Sequence, residues 1–196
     1  MRSLPPATRF IILANVVVFL LQQVTPWIDA LCALWPLGPY FRLWQLVTYA
    51  FLHGAWWHIF LNMFAVFMFG PQLERTWGSR RYLVYYFACI IAAAAVQLLT
   101  ELHSAVPEPT VGASGGVFGL LLAFAMYYPR VRLFVIPIPI PVPAWLVVTL
   151  YGLVELYLGV SGREPNVAHF AHLGGMLGGA VVMLIWQAQA RLRGQS

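Results

Sequence analysis

The sequence contains no lysine, one aspartate and two cysteines in 196 residues, and charged side chains of all kinds make up only 9% of it. So little charge excludes an ordinary soluble domain, in which about a quarter of the residues are charged. Cys32 and Cys89 are too few and too far apart for a disulfide framework or a thiolate metal cluster. A solenoid is excluded as well, because no fixed-period repeat runs through the chain, and no low-complexity tail is present. What fills the sequence is apolar: 61% of it is hydrophobic, with a mean hydropathy of +0.78. A spanning helix takes about 20 mostly apolar residues. Such stretches occupy nearly all of residues 1–196 and predict one integral membrane domain.

Hydropathy predicts an all-α bundle of six transmembrane helices, at roughly 9–25, 51–70, 81–100, 112–128, 143–160 and 167–188. The first run, "FIILANVVVFLLQ", follows Arg2 and Arg9 but precedes no small-x-small cleavage site, so it reads as a retained span and not a signal peptide. All eleven basic residues are arginine, against six acids. They lie in short clusters between apolar runs, which argues against a nucleic-acid partner and makes them topology markers. With the amino terminus inside, Arg2, Arg9, Arg75, Arg80, Arg81, Arg130, Arg132, Arg191 and Arg193 face the cytoplasm and only Arg42 and Arg163 lie outside. Both termini are then cytoplasmic.

Two connections stand out. Pro26 to about Ala50 is long and aromatic ("WIDALCALWPLGPYFRLWQ") and reads as a loop lying partly in the membrane interface. "VIPIPIPVPAW" carries proline at every second position, which forbids helix and predicts a stiff, extended, polyproline-like connector.

Polar residues gather at the starts of the even-numbered spans. The second opens with "HGAWWHIFLN", carrying His53, His58 and Asn62; the fourth with "GASGG", carrying Ser114; the sixth with "NVAHFAHLGG", carrying Asn166, His169 and His172. At about 1.5 Å per residue these groups fall in the same outer half of a hydrocarbon core about 30 Å thick. Polar groups at such depth are expensive unless they meet each other or line a wet cavity. Singly, each has a structural explanation, a back-bonded serine or an interhelical histidine; together they point to a site. Gly115 and Gly119 on the fourth span, with Gly112 and Gly116 beside them, and Gly174, Gly175, Gly178 and Gly179 on the sixth have the spacing that lets backbones approach closely. If those faces meet, Ser114 and His172 come within hydrogen-bonding reach.

A serine hydroxyl is a weak nucleophile until a base takes its proton, and histidine is the usual base. Ser114 and His172 can form such a dyad. His58 and Asn62, one turn apart on one helix face, can supply donors for an oxyanion, with the Ser114 backbone N–H as a third. Glu155 is the only acid deep in an apolar run, and its residue type alone assigns it no role. Five histidines also raise the possibility of a metal-binding transporter or metalloprotease, but the compact H-E-x-x-H set is absent. The proposed chemistry requires neither metal nor cofactor.

Ser114 in "GASGG", His53, His58 and Asn62 in "HGAWWHIFLN", Gly70, Glu74 and Gly78 in "GPQLERTWG", and His172 in "AHFAHLGGMLGG" together resemble the rhomboid intramembrane serine proteases. The resemblance implies a six-helix rhomboid-like bundle whose wet cavity opens outward. It also implies a serine endopeptidase that cleaves transmembrane protein substrates in or near their spans within the lipid bilayer. On these motifs Ser114 matches the nucleophile, His172 the general base, and His58 and Asn62 the oxyanion-stabilising pair. Phe118 matches an aromatic packed on the catalytic histidine, while Gly112, Gly115 and His169 support the site and Glu74 is structural. His169 is the runner-up base, since H-x-x-G-x-x-x-G fits from His172 and not from His169. The chain departs from the family at Trp44-Gln45, where Trp-Arg is frequent. A catalytically inactive rhomboid-like protein that binds membrane clients is the alternative, and the filled dyad and oxyanion positions argue against it. The short ends favour the compact bacterial inner-membrane type.

Overall fold

Two prolines open the first helix: Pro5 has φ −60° and Pro6 stands in the first turn, where its missing N–H leaves no bond unmade. In a computed structural model, which describes residues 3–102, 108–135, 138–164 and 167–193, that helix is α1 (Pro6–Val24). Two short helices follow, α2 (Trp27–Cys32) and α3 (Gln45–Thr48), the latter continued by a 3₁₀ turn over Tyr49–Phe51. The long helices α4 (Trp56–Trp77) and α5 (Ser79–Thr100) are separated only by Gly78, whose φ of 78° ends one and starts the other. Then come α6 (Ser114–Tyr127), the strands β1 (Arg132–Val135) and β2 (Ile138–Pro143), α7 (Ala144–Ser161) and α8 (His169–Arg193).

The protein is a multi-pass membrane protein, and its helices are not equal. By length and composition α1, α5, α7 and α8 can each cross a membrane alone. The predicted second span is broken: Gln45–Phe51 and α4 meet at 99°, and His53 lies in the loop between them, not on the helix. The fourth predicted span, α6, has 14 residues, about 21 Å at helical rise and short of the core thickness. Nine of those residues, among them Gly115, Gly119 and Leu120, are buried in protein. Backbone at membrane depth that is wrapped by protein or lines a cavity need not reach the lipid boundary. Asn166 lies outside the described residues.

Over Ile138–Pro143 the proline-rich connector is extended, as its composition requires, but it is not a lone polyproline segment. β1 and β2 form an antiparallel pair with Arg132 opposite Pro143, Leu133 opposite Val142 and Val135 opposite Ile138. Proline at alternate positions leaves the intervening N–H groups able to pair along one edge, which a two-stranded ribbon permits. Among the described residues the fold is therefore helical with one two-stranded ribbon.

The core centres on α5, where Tyr82, Tyr85, Tyr86, Cys89 and Ile90 are fully buried. Tyr85 donates its hydroxyl hydrogen to the Gly119 carbonyl of α6 at 2.8 Å, and Tyr49 donates to the Ile90 carbonyl at 2.8 Å. Tyr85 and Tyr49 thereby satisfy their polar ends on backbone acceptors. The segment between α2 and α3 is organised by buried Gln45, whose Oε1 accepts from the backbone N–H of Arg42 at 3.0 Å and whose Nε2 donates to the Tyr40 carbonyl at 3.1 Å. Glutamine, as donor and acceptor at once, fixes this loop where an arginine could only donate.

Glu74, on the last turn of α4, caps another helix. Its carboxylate accepts from the backbone N–H of Ala7 (2.8 Å) and Thr8 (2.7 Å) and from the hydroxyls of Thr8 and Ser79 (2.7 Å each). The Ala7 and Thr8 N–H groups are first-turn donors of α1 that no carbonyl within that helix can satisfy. We expect Glu74→Ala to leave them unpaired and to lower stability by about 2–3 kcal/mol, read as a drop in Tm of the detergent-solubilised protein; an unchanged Tm would contradict the capping role.

Candidate active site

The entry to α6 is fixed from two sides. Leu34 and Thr110 exchange backbone hydrogen bonds at 3.0 and 2.9 Å, and the Gly112 N–H donates to the Tyr49 carbonyl at 3.0 Å. Gly112 has φ 130°, a conformation L side chains rarely adopt, and a Cβ there would stand 2.8 Å from both Cε1 and Nε2 of His58. Glycine at 112 thus lets the His58 ring rest against the chain two residues before Ser114. Ser114 is the first residue of α6, so its N–H belongs to the turn whose donors have no helical partner.

α8 runs beside α6. A Cβ on Gly175 would overlap the backbone oxygen of Gly115, so the two backbones touch. One turn earlier on α8, His172 Nε2 stands 2.9 Å from Ser114 Oγ. The Phe118 ring lies parallel to the His172 ring, 4.4 Å between centroids and 7° between planes. The imidazole is held edge-on to the serine by a flat apolar wall.

Ser114, His172, His58 and Asn62 line one cavity of about 480 Å³. Gln97, Glu101, Glu108 and Thr110 also line it and make its wall suited to water. The Asn62 Nδ2 donates to the His58 carbonyl at 3.1 Å, which uses one of two amide hydrogens and leaves the second. Burial pushes the Glu101 carboxyl above the usual range; Gln97, donating to it, opposes this, and the charge of Glu108 adds to it. His53 does not line the cavity. It is buried behind His58, edge to face at 4.9 Å, and serves as packing for that ring.

Glu155, to which residue type alone assigns no role, has two partners in the fold. Projecting from α7, its Oε2 lies 2.8 Å from His172 Nδ1 and 2.7 Å from His169 Nδ1. His169 therefore does not reach Ser114; it meets the carboxylate from the far side of His172. The available signal was the isolation of an acid within an apolar run, which a membrane tolerates only with a partner. The three ligand atoms lie within 4.8 Å of one another, the spacing of a cation site. At 2.7 and 2.8 Å, however, both nitrogens are at hydrogen-bond distance from the oxygen, and an ionised carboxylate only accepts, so the hydrogens it takes occupy the nitrogen lone pairs a metal would need.

A family model described as the Rhomboid domain matches residues 40–189. The chain belongs to the rhomboid family. It is 31% identical to YdcA of Bacillus subtilis, over 72% of this chain and 66% of that protein. To "Rhomboid protein 1, mitochondrial" of Saccharomyces cerevisiae it is 32% identical, over 70% of this chain and 40% of that protein. To "Rhomboid protease GluP" of Bacillus subtilis it is 28% identical, over 69% and 24%. The chain thus spans less than two thirds of the length of these relatives.

Proposed function

We propose that this rhomboid is an intramembrane serine endopeptidase that hydrolyses peptide bonds in or near the transmembrane segments of other membrane proteins, and that its spans, six with the broken second and the short fourth counted, leave both ends in the cytoplasm. The 2.9 Å approach of His172 Nε2 to Ser114 Oγ inside a cavity that His58 and Asn62 also line carries this reading. Ser114 Oγ attacks the scissile carbonyl carbon as its proton passes to His172 Nε2. The carbonyl oxygen becomes an oxyanion facing the Ser114 N–H, the His58 ring and the free amide hydrogen of Asn62, donors set in place beforehand. The α6 amino terminus, where Ser114 stands, adds a favourable dipole. Collapse breaks the C–N bond, and the proton on His172 goes to the leaving amine. A cavity water, deprotonated by His172, then attacks the acyl ester, and the carboxylate product leaves with Ser114 restored.

A scissile helix must unwind to expose its carbonyl, so substrates are expected to carry glycine or proline near a small residue at the cut. In lipid vesicles, a fluorophosphonate probe is expected to label the purified protein, and a chelator to alter neither labelling nor cleavage. Failure of the wild-type protein to label would remove the proposal. We expect His58→Ala and Asn62→Ala each to lower kcat by up to about 10²-fold with KM held, the range for loss of one oxyanion donor among several. Wild-type turnover in the double variant would exclude both from the mechanism.

A further inference from the structure

The structure joins Ser114, His172, Glu155 and His169 in an unbroken line of hydrogen-bonding contacts at 2.9, 2.8 and 2.7 Å. We infer that Glu155 is a positioning residue that holds His172 in the tautomer able to take the serine proton, and that His169 is the second clamp that aims the carboxylate. The inference rests on the dyad reading and adds a member to it.

An ionised carboxylate only accepts hydrogen bonds, and each imidazole nitrogen either donates or accepts. With Oε2 within hydrogen-bond distance of both Nδ1 atoms, both nitrogens carry hydrogen. His172 then has a bare Nε2, and that is the atom facing Ser114 Oγ. When the serine proton arrives, Nδ1 keeps its own hydrogen, the ring becomes imidazolium, and the carboxylate beside it stays ionised; no proton passes to Glu155. This is the arrangement that makes an acid useful behind a catalytic histidine in a triad.

His169 supplies a constraint that a lone acid would lack. It sits one helical turn before His172 on the same face of α8, so two donors from one rigid element grip one oxygen. Its own Nε2 is buried and has no hydrogen-bond partner among the described residues, so its ring is held through Nδ1 alone. The approach of α7 to α8 at this level depends on Gly159, one turn after Glu155, where a Cβ would stand 3.2 Å from the Cβ of His169 and from the Phe170 ring. Besides Ser114, Glu155 and His169, the titratable groups lining the cavity that His172 faces are His58 of α4, Glu101 just after α5, and Glu108.

The test is Glu155→Gln, nearly isosteric, in vesicle-reconstituted protein, with kcat and KM measured and the His172 ring nitrogens observed by ¹⁵N NMR. The expected result is a fall in kcat of more than about 10-fold and up to about 10⁴-fold with KM unchanged, the upper figure being the loss when an amide replaces the acid of a serine triad and leaves its histidine in the wrong tautomer, and loss of the single Nδ1–H form of His172. His169→Phe should lower kcat several-fold and His169→Asn should restore it, since an amide N–H can take the place of Nδ1–H. Wild-type kcat in Glu155→Gln with an unchanged His172 tautomer would overturn the inference. A wild-type protein that does not label with fluorophosphonate would instead defeat the protease reading, while the tautomer of His172 with and without Glu155 would still decide the role of the carboxylate.

Discussion

Ser114→Ala is expected to abolish both fluorophosphonate labelling and substrate cleavage, with the rate falling by at least about 10⁴-fold, to the detection floor. The probe reacts by forming a bond between its phosphorus and a nucleophilic oxygen, so without Oγ there is nothing to phosphonylate. Cleavage is lost for the same reason: His172 retains its place but has no attached nucleophile to activate. The fold should not suffer. Ser114 sits at the first position of α6 on a cavity roomy enough for water, which can take over the bond it makes to His172 Nε2. The variant should therefore keep the wild-type Tm and become a binder of uncut substrate, suitable for trapping the membrane proteins it acts on. Undiminished labelling of Ser114→Ala would mean that another residue reacts with the probe and that the assignment is wrong.

Much of this site was legible because membranes make polar residues conspicuous. Ser114, His58, Asn62 and His172 stood out against apolar runs, and helical rise alone put them at one depth. The glycine spacing on α6 and α8 supplied the reason for their meeting, and Gly115 and Gly175 do touch. Three features stayed hidden, each for a different physical reason. Glu155 and His172 are 17 residues apart, on different helices whose relative rotation no periodicity fixes. Gln45 appears as a departure from a family pattern, yet its amide closes the loop through bonds to Arg42 and Tyr40 that its residue type does not announce. The break before α4 was invisible to hydropathy, which sums apolar character over a window and cannot see a 99° turn within it. Window averaging also made α6 look like a full span, whereas its apolar residues face protein on most sides.

Gly175→Ala is the second variant expected to have a large effect, and it tests the packing on which the chemistry depends. An added Cβ would meet the oxygen, carbonyl carbon and Cα of Gly115, all of them backbone atoms that no rotamer change can move. Relief requires α6 and α8 to separate, and the serine next to Gly115 and the histidine one turn before Gly175 must separate with them. The 2.9 Å contact between Ser114 and His172 has no slack for this; a displacement of about 1 Å at a reacting pair costs on the order of 10²-fold in rate. Gly175→Ala should therefore lower kcat by about that factor and reduce Tm, although alanine is the better helix former. Gly152→Ala on α7 is the matched control: its Cβ would lie 3.5 Å from the Met176 side chain, an ordinary contact, so Tm and kcat should hold or rise slightly. Retention of wild-type rate by Gly175→Ala would show that the two backbones are not in contact, and the positioning of the dyad would then need another cause.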